Sequence, residues 1–549
     1  MNIISQIKEA FTHYLISHFN VDQKTGDPCA LILNVDEKKA AFGDLNTNAA
    51  LVLAKKLGRN PREIAQEITE TFKHPSIEKI EIAGPGFINL FLKLDAFSDL
   101  TKQLIEQKET FFKLDPDQPR RAINIEFVSA NPTGPLHFGH GRGGVIGDVF
   151  GNVTRFLGHD TTKEFYINDA GSQMQKLGAS FKARCLQKLG QSVDMPEDGY
   201  RGDYLIELAK ECAEEYGNDL LQKDDTFFST YAKDKMLARI KKRLQDYGIT
   251  FDTWFSEKTL HDSGAINQAI EILQQNGCLY EKNGALWFKS TEFGDDKDRV
   301  IKKSTGEWTY AAADIAYLLN KVERGAQEVA FVLGHDHHSY AIRLENIRRA
   351  LKLDKTKLDV ILYQLVRMKE AGELVQMSKR TGKMITLDDV IKTVGADVAR
   401  FFYLHSKADA QLEFDLELAL KQTNENPVYY VQYAYVRTKS ILAKAQEHKE
   451  LQNIKTKDIN PQKEDLLLIK KIASLKAVLE SIDRNHQTHL LTYYIIELAD
   501  MFHRYYSTHR IIDMENIEQS RSRLALITLL RNTFGLALTL LGVSRPERM

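Results

Sequence analysis

The run Ile123-Asn124-Ile125-Glu126-Phe127-Val128-Ser129-Ala130-Asn131-Pro132-Thr133-Gly134-Pro135-Leu136-His137-Phe138-Gly139-His140-Gly141-Arg142-Gly143-Gly144 decides the fold. Its first six residues predict a buried strand. A glycine-rich loop follows, and Val145, Val149, Val153 and Phe156 then recur at helical spacing. Thr162 to Ile167 reads as the next strand. Strand, loop, helix and strand in that order open a parallel, doubly wound sheet.

Working outward, Lys113-Leu114-Asp115-Pro116-Asp117-Gln118-Pro119 carries two prolines and marks a boundary. Before it, residues 1–118 read as an α+β module. Leu51–Leu57 and Ile64–Phe72 are helical in pattern, and Ile80–Leu94 forms two strands around Ala83-Gly84-Pro85-Gly86. After the first sheet unit, residues 172–250 look mostly helical. The expected catalytic domain is 119–400, with a helical insertion over about 172–300. The sheet is predicted to resume near Trp308, with another strand at Val329–Leu333. Beyond residue 400 strand signals fade, which predicts an all-α domain over 401–549 with a polar, loop-like stretch at Gln446–Glu464.

Composition bounds the function classes. The 549 residues are 43% hydrophobic, 27% charged and 9% aromatic, an ordinary globular mixture with material for three to four domains. Lys and Arg total 74 against 75 for Asp and Glu, so the net charge of -1 advertises no polyanionic partner. Cys29, Cys185, Cys212 and Cys278 form no CxxC pair. No structural zinc is expected, and free thiols point to a reducing, cytoplasmic setting. The first residues lack the basic start and apolar block of a signal peptide. The apolar stretch Leu524–Val543 contains Arg531 and Asn532 and reads as a buried helix pair rather than a membrane span.

Two clusters carry chemistry. In the first, Gly139, Gly141, Gly143 and Gly144 allow backbone to approach a ligand, at a helix N-terminus whose unpaired N–H groups suit a phosphate. His137 and His140 add polar heads at the same mouth. The spacing is neither GxGxxG nor GxxxxGK[ST], so neither a dinucleotide fold nor a P-loop is implied. The bland alternative is a tight turn with incidental histidines. In the second, Gln376-Met377-Ser378-Lys379-Arg380-Thr381-Gly382-Lys383 puts three cations within five residues. Such a loop can bring a lysine onto phosphates, or it can be a solvated charged loop.

Taken together, the clusters resemble the two signatures of class I aminoacyl-tRNA synthetases. His137-Phe138-Gly139-His140 matches His-x-Gly-His. Met377-Ser378-Lys379-Arg380 is similar to the Lys-Met-Ser-Lys-Ser type, with Gln376 in place of its first lysine and Arg380 in place of its last serine. Within the class the resemblance is to the arginyl-tRNA synthetase family. It is carried by Ser129 to Arg142, Tyr166 to Gln173, Thr309 to Ala316, Gly334-His335-Asp336-His337-His338, Asn426 to Ala434, and the closing Leu541 to Met549. Ala83 to Asn89 resembles that family's extra N-terminal domain.

The resemblance implies ATP-dependent attachment of arginine to its tRNA through arginyl-adenylate, with transfer to the terminal ribose 2′-hydroxyl. It implies catalytic roles for His137, His140 and Lys379. It implies ATP contacts from His137, Gly139, His140, Gly141, Met377, Ser378 and Lys379, with Mg²⁺ accompanying the nucleotide. Arginine is expected against Glu126, Ser129, Asn131, His137, Tyr310, Asp314 and His337. A planar guanidinium suits carboxylates arranged around it, and Tyr310 and Asp314 are one helical turn apart. Their bland readings are half-buried core and a surface helix acid. The sequence does not separate His335, His337 and His338. No metal site is expected there, because no paired cysteine or spaced acid accompanies them. Phe87 and Asn89, two apart on a strand and so facing the same way, match positions used against the outer corner of tRNA. Tyr433 and Arg437 are candidates for the anticodon side. The expected partners are tRNA, L-arginine and ATP, for a monomer with no membrane. The alternatives are a synthetase of another specificity and a non-catalytic tRNA-binding paralogue.

Overall fold

The computed structural model describes residues 2–22, 31–370, 373–374, 385–452, 454 and 459–549. The N-terminal module begins with α1 (Ile3–Phe19). Its antiparallel sheet contains β1 (Ile32–Leu33), β2 (Leu45–Thr47), β3 (Ile77–Ala83) and β4 (Phe87–Leu92) in the order β1-β2-β4-β3. Helices α2 (Ala49–Leu57), α3 (Pro61–Thr71) and α4 (Leu94–Gln107) complete it. Pro61 opens α3 behind Asn60, whose side chain accepts from Arg62 N–H, so this helix start is written in two residues.

The central sheet is parallel. Its strands are β5 (Ala122–Phe127), β6 (Asp160–Ile167), β7 (Thr253–Ser256), β11 (Glu328–Gly334) and β12 (Lys357–Tyr363), ordered β12-β11-β5-β6-β7. The chain steps outward from β5 to β7 and then returns to the other side of β5. The order therefore reverses between β5 and β11, which is where sheets of this kind open a crevice at their carboxyl ends. Both faces are covered. Ala330 and Val332 pack in one core with α5 (Phe138–Leu157), whereas Val329 and Phe331 pack in another with α10 (Tyr310–Glu323) and α11 (His338–Ala350). Helix α5 lies close on the sheet: a Cβ at Gly143 would fall 2.5 Å from Tyr363, and one at Gly147 2.3 Å from Phe127.

Helices α6 (Ser172–Lys188), α7 (Asp203–Tyr216) and α8 (Asp225–Asp246) form the insertion around their own core of Phe181, Leu208 and Phe228. The chain then differs from the sequence expectation. It rejoins the central sheet at β7 rather than near Trp308, which only bridges to Lys302. The strands β8 (Leu279–Lys282), β9 (Ala285–Phe288) and β10 (Arg299–Lys302) form a separate antiparallel sheet, with α9 (Ala265–Gln275) before them. At four residues each, these strands are too short to show a period that distinguishes them from loop.

Past β12 come β13 (Val366–Glu370), β14 (Glu373–Leu374), α12 (Leu387–Val394), α13 (Ala396–Leu404) and β15 (Leu412–Asp415). β15 pairs parallel to β13, so strands continue beyond residue 400. The all-α domain follows, with α14 (Pro427–Ala445), α15 (Leu466–Ala473), α16 (Leu475–Asn485), α17 (His489–Thr508) and α18 (Ile517–Leu541). The expected buried pair near the C-terminus is one 25-residue helix, mostly buried, with Arg531 and Asn532 on its exposed side. It is long and apolar enough to cross a membrane by composition alone, yet it is the core helix of this bundle.

Charged side chains join the parts. Lys470 Nζ reaches Asp44 at 3.0 Å, and Lys476 Nζ reaches Asp115 at 3.0 Å. Arg400 on α13 is wholly buried. It donates to Asp148 of α5 at 2.5 Å, to the carbonyl of Leu541 on α18 at 3.0 Å, and to the carbonyl of Tyr247 at 3.0 Å.

Candidate active site

The crevice beyond β5 starts with unusual backbone. Val128 and Ser129 have φ of 66° and 39°, a left-handed conformation that side chains disfavour, most of all a β-branched one. The turn swings the chain out of the sheet. Ser129 Oγ accepts from Tyr166 N–H at 3.0 Å, so this hydroxyl ties the ends of β5 and β6 together. Asn131 stands exposed at the mouth.

His137 is the N-cap of α5. Its Nδ1 accepts from Gly139 N–H at 3.0 Å, and His140 Nδ1 accepts from His137 N–H at 3.0 Å, closing a capping box built from two imidazoles. Each Nδ1 is an acceptor, so in the neutral ring the proton sits on Nε2. Burial lowers the pKa of His137, and burial together with the nearby His137 brings His140 down to about 4. At physiological pH His140 is therefore a neutral N–H donor. Arg142, one turn on and fully buried, donates to the carbonyls of Gln364, Ala410 and Lys407 at 2.7–2.8 Å.

Residues 385–387 pair back onto the first signature. Phe138 N–H donates to the Ile385 carbonyl at 3.2 Å, Leu387 N–H donates to the Leu136 carbonyl at 2.9 Å, and His137 bridges Thr386. Met377, Ser378 and Lys379, with Gln376, Arg380 and Lys383, lie outside the described residues.

Beside this mouth lies an acidic pocket. Glu126 is buried at the end of β5, and its Oε2 has no hydrogen-bond partner. Lys321 Nζ lies beneath it at 3.1 Å, 2.6 Å from Glu164 Oε1 and 2.7 Å from Asn124 Oδ1. Asp314 on α10 accepts from the Tyr340 hydroxyl at 2.9 Å. Burial pushes the Asp314 carboxyl up to about 7, with Glu257 and Glu126 adding to the rise against Tyr340 and Arg343. Glu257 is raised too, chiefly by burial. Burial and the charges of Glu257, Asp314 and Glu126 likewise raise the Tyr166 hydroxyl.

The structure brings Glu126 and Asp314 to the same pocket. Tyr310 begins α10 and is 54% exposed, with its hydroxyl 3.8 Å from where a Gly171 Cβ would be. His335, His337 and His338 are all exposed, and the His337 ring lies 6.5 Å from that of Tyr340. Sequence reasoning missed Tyr340, Glu257 and Lys321. Extending the Tyr310–Asp314 stripe by seven and eleven residues from Tyr310 would have found Tyr317 and Lys321. Nothing in the pattern marks Tyr340 or Glu257.

One further cluster, Glu328, Asp359 and His486, has donor atoms near enough to hold a metal ion. Glu328 opens β11, at the end of the sheet away from the crevice. Lys357 Nζ lies 2.8 Å from Asp359 Oδ2 and 3.5 Å from Glu328 Oε1, where a cation would sit.

Comparison with known proteins matches residues 100–401, more than half the chain, to the catalytic domain of class I tRNA synthetases (R). Residues 2–92 match the arginyl tRNA synthetase N terminal domain, and residues 431–549 the DALR anticodon binding domain. The chain belongs to the arginyl-tRNA synthetase family.

Among its relatives, the arginine–tRNA ligase of Bacillus subtilis is 40% identical over 560 residues, and that of Oceanobacillus iheyensis is 40% identical over 569. Each alignment covers 100% of both chains. The arginyl-tRNA synthetase structure from Thermus thermophilus shares the fold with a TM-score of 0.76 at 20% identity, covering 99% of this chain and 100% of that one.

Other positions singled out by likeness to this family fall into two regions. In the N-terminal module, Phe87 is 45% exposed while Asn89, paired with Asn46 and Glu81 in the middle of the sheet, is 5% exposed. Strand alternation puts them on one face, but only Phe87 reaches solvent. In the helical domain, Arg437 donates to the Tyr433 hydroxyl at 2.6 Å, meets His503 Nδ1 at 2.9 Å and lies over the Tyr433 and Tyr506 rings. Tyr435 and Tyr505 are core, with Tyr505 donating to Asp465 at 2.6 Å.

Proposed function

We propose that the crevice between β5 and β11 performs ATP-dependent arginylation of tRNA. The observation that carries the reading is the pair Glu126 and Asp314, two carboxylates brought to one pocket from β5 and α10, next to neutral histidines at a helix N-terminus. The arginine guanidinium is taken between them, where its planar donors meet two acceptors that a neutral isostere leaves unpaired. Tyr310, His337, Asn131 and Ser129 line the approach, and His137 and Asn131 face the α-amino and carboxylate end.

In the first step the arginine carboxylate attacks the α-phosphate of MgATP. A phosphorus–oxygen bond forms to the carboxylate, the bond to the bridging oxygen breaks, and pyrophosphate leaves. His137 and His140 donate from Nε2 to phosphate oxygens and Gly139 lets the helix N-terminus approach the nucleotide, while Gly141, expected at the nucleotide, is packed against Leu387 and Tyr403. Lys379 neutralises charge on the pyrophosphate side, with Met377 and Ser378 also contacting the nucleotide. In the second step the terminal ribose 2′-hydroxyl of tRNA attacks the activated carbonyl and AMP leaves. The nucleophile is already a carboxylate, so the protein's work is positioning and electrostatics.

Residues 1–118 are assigned to the outer corner of tRNA, with Phe87 as the exposed stacking group. Residues 119–400 are assigned to catalysis and 401–549 to the anticodon, with Tyr433 and Arg437 on the α14 face. The chain is read as a cytoplasmic monomer. ATP–pyrophosphate exchange with tRNA present tests the activity: exchange with arginine supports it. Exchange only with another amino acid, or none with any, overturns it.

A further inference from the structure

Tyr340 makes two contacts that matter together. Its hydroxyl donates to Asp314 Oδ1 at 2.9 Å, and among the described residues Asp314 Oδ2 makes no hydrogen bond. Its ring carries the guanidinium of Arg343 at 5.1 Å from the centroid. Both residues belong to the first turns of α11. Arg343 Nε is buried without a hydrogen-bond partner, and Arg343 forms no ion pair among the described residues. It lines, with Asp314, Asp295, Arg299 and Asn346, a cavity of about 20 Å³. The chain thus keeps a guanidinium of its own, the group its substrate carries, beside a carboxylate with an open oxygen.

A free arginine side chain next to an unpaired carboxylate would ordinarily close on it, because a bidentate pair is the strongest contact either group can make. Here the aromatic ring competes for the guanidinium face. The hydroxyl orients the carboxylate without cancelling its charge, which a cationic partner would do. We propose that Tyr340 is a positioning residue for arginine selection: its hydroxyl fixes Asp314, and its ring holds Arg343 out of the place the substrate guanidinium takes. This rests on reading Glu126 and Asp314 as the substrate site.

The groups facing Asp314 are Glu126 from β5, Tyr166 from β6, Glu257 after β7, and Tyr340 and Arg343 from α11. His261 lies 3.7 Å from Glu257, and the His337 ring packs near Tyr340. With several ionisable groups around Asp314, the informative quantity is the difference between variant and wild type.

The test uses the full chain and radiolabelled L-arginine, by equilibrium binding and by tRNA-dependent exchange. Y340F keeps the ring and loses the hydroxyl. Its KM for arginine should rise about tenfold, the size of one hydrogen bond to a charged group, with kcat within about twofold by the same argument. The pH below which arginine binding falls should also move upward, because a carboxylate without its donor holds its proton longer. Y340L loses the ring as well and should bind more weakly than Y340F, and Y340L/R343Q should regain part of the loss. Wild-type KM and an unmoved pH profile in Y340F overturn the hydroxyl's role. A double variant no better than Y340L overturns the ring's role, whether or not Y340L itself is destabilised. D314N separates the two readings. Normal arginine binding in D314N removes the substrate site itself, whereas loss in D314N with wild-type behaviour in Y340F removes only the proposal for Tyr340.

Discussion

Lys321 lies 3.1 Å from Glu126, with no part of its side chain exposed, so the carboxylate at the end of β5 rests on an ion pair supplied by α10. The same ammonium reaches Glu164, which Arg324 holds from its other side at 2.6 Å. The Lys321 ammonium and the Arg324 guanidinium thus face Glu126 and Glu164 together.

Replacing Lys321 by Met should therefore cost about 3–5 kcal/mol of stability, as expected when one partner of a buried pair is removed. It should also raise the KM for arginine through a displaced Glu126. Thermal unfolding and tRNA-dependent exchange check both. An unchanged melting temperature would mean the pair is not buried in solution.

Asp314→Asn should do the opposite to stability. An acid whose pKa rises on folding, here from 3.8 to about 7, binds its proton more tightly in the native state. Ionising it then costs stability as the pH climbs between those two values. The Asn variant should match wild type below about pH 4 and melt higher above about pH 7, while arginine activation falls sharply. Binding of arginine to wild type should weaken below pH 7 with proton release on binding, measurable as a buffer-dependent heat.

The histidine pair makes a spectroscopic prediction. At pH 7 the ¹⁵N shifts of His140 should report a neutral ring protonated on Nε2; an imidazolium or an Nδ1–H tautomer would contradict the capping box. His140→Ala should slow exchange by about 10²–10³, the usual loss when one such donor is removed. It should not remove any limb of the rate profile above pH 5.

Gly141→Ala tests how closely the first signature is packed against segment 385–387. A Cβ there would fall 2.8 Å from both Leu387 and Tyr403, and Tyr403 in turn donates to the Phe138 carbonyl at 2.7 Å. The added methyl should push Leu387 and the paired segment 385–387 away. The expected cost is about 1–3 kcal/mol in stability, with a kcat for exchange reduced more than the KM for arginine is raised. Equal loss in both would point to general damage.

The strand–helix–strand unit at residues 122–167 was legible because its apolar run and helical spacing are long enough to show a period. The helical insertion and the bundle were legible for the same reason. The four-residue strands 279–302 and β15 were not, since their pairing is decided by partners far along the chain. In the site, Glu126 and Asp314 were reached through likeness to known signatures, and Tyr317 and Lys321 follow from helical geometry once Asp314 is chosen. Tyr340 and Glu257 are brought in by the meeting of α11 and the turn after β7 with α10, which no local pattern encodes. That the histidines are neutral Nε2 donors depends on which backbone N–H each ring caps, and this too is visible only in three dimensions.

Arg400 has a consequence for how distant parts of the molecule communicate. Helix α5 is twenty residues long, about 30 Å. One end carries His137 and His140. Further along, Asp148 is gripped by the same guanidinium that grips the carbonyl of Leu541, and Asn152 donates to the carbonyl of Leu540 at 3.1 Å. The rod that presents the nucleotide-facing histidines is thus clamped to the final helix of the chain. No loop lies between that clamp and the two imidazoles, so their position is tied through one continuous helix to the C-terminal end of the bundle.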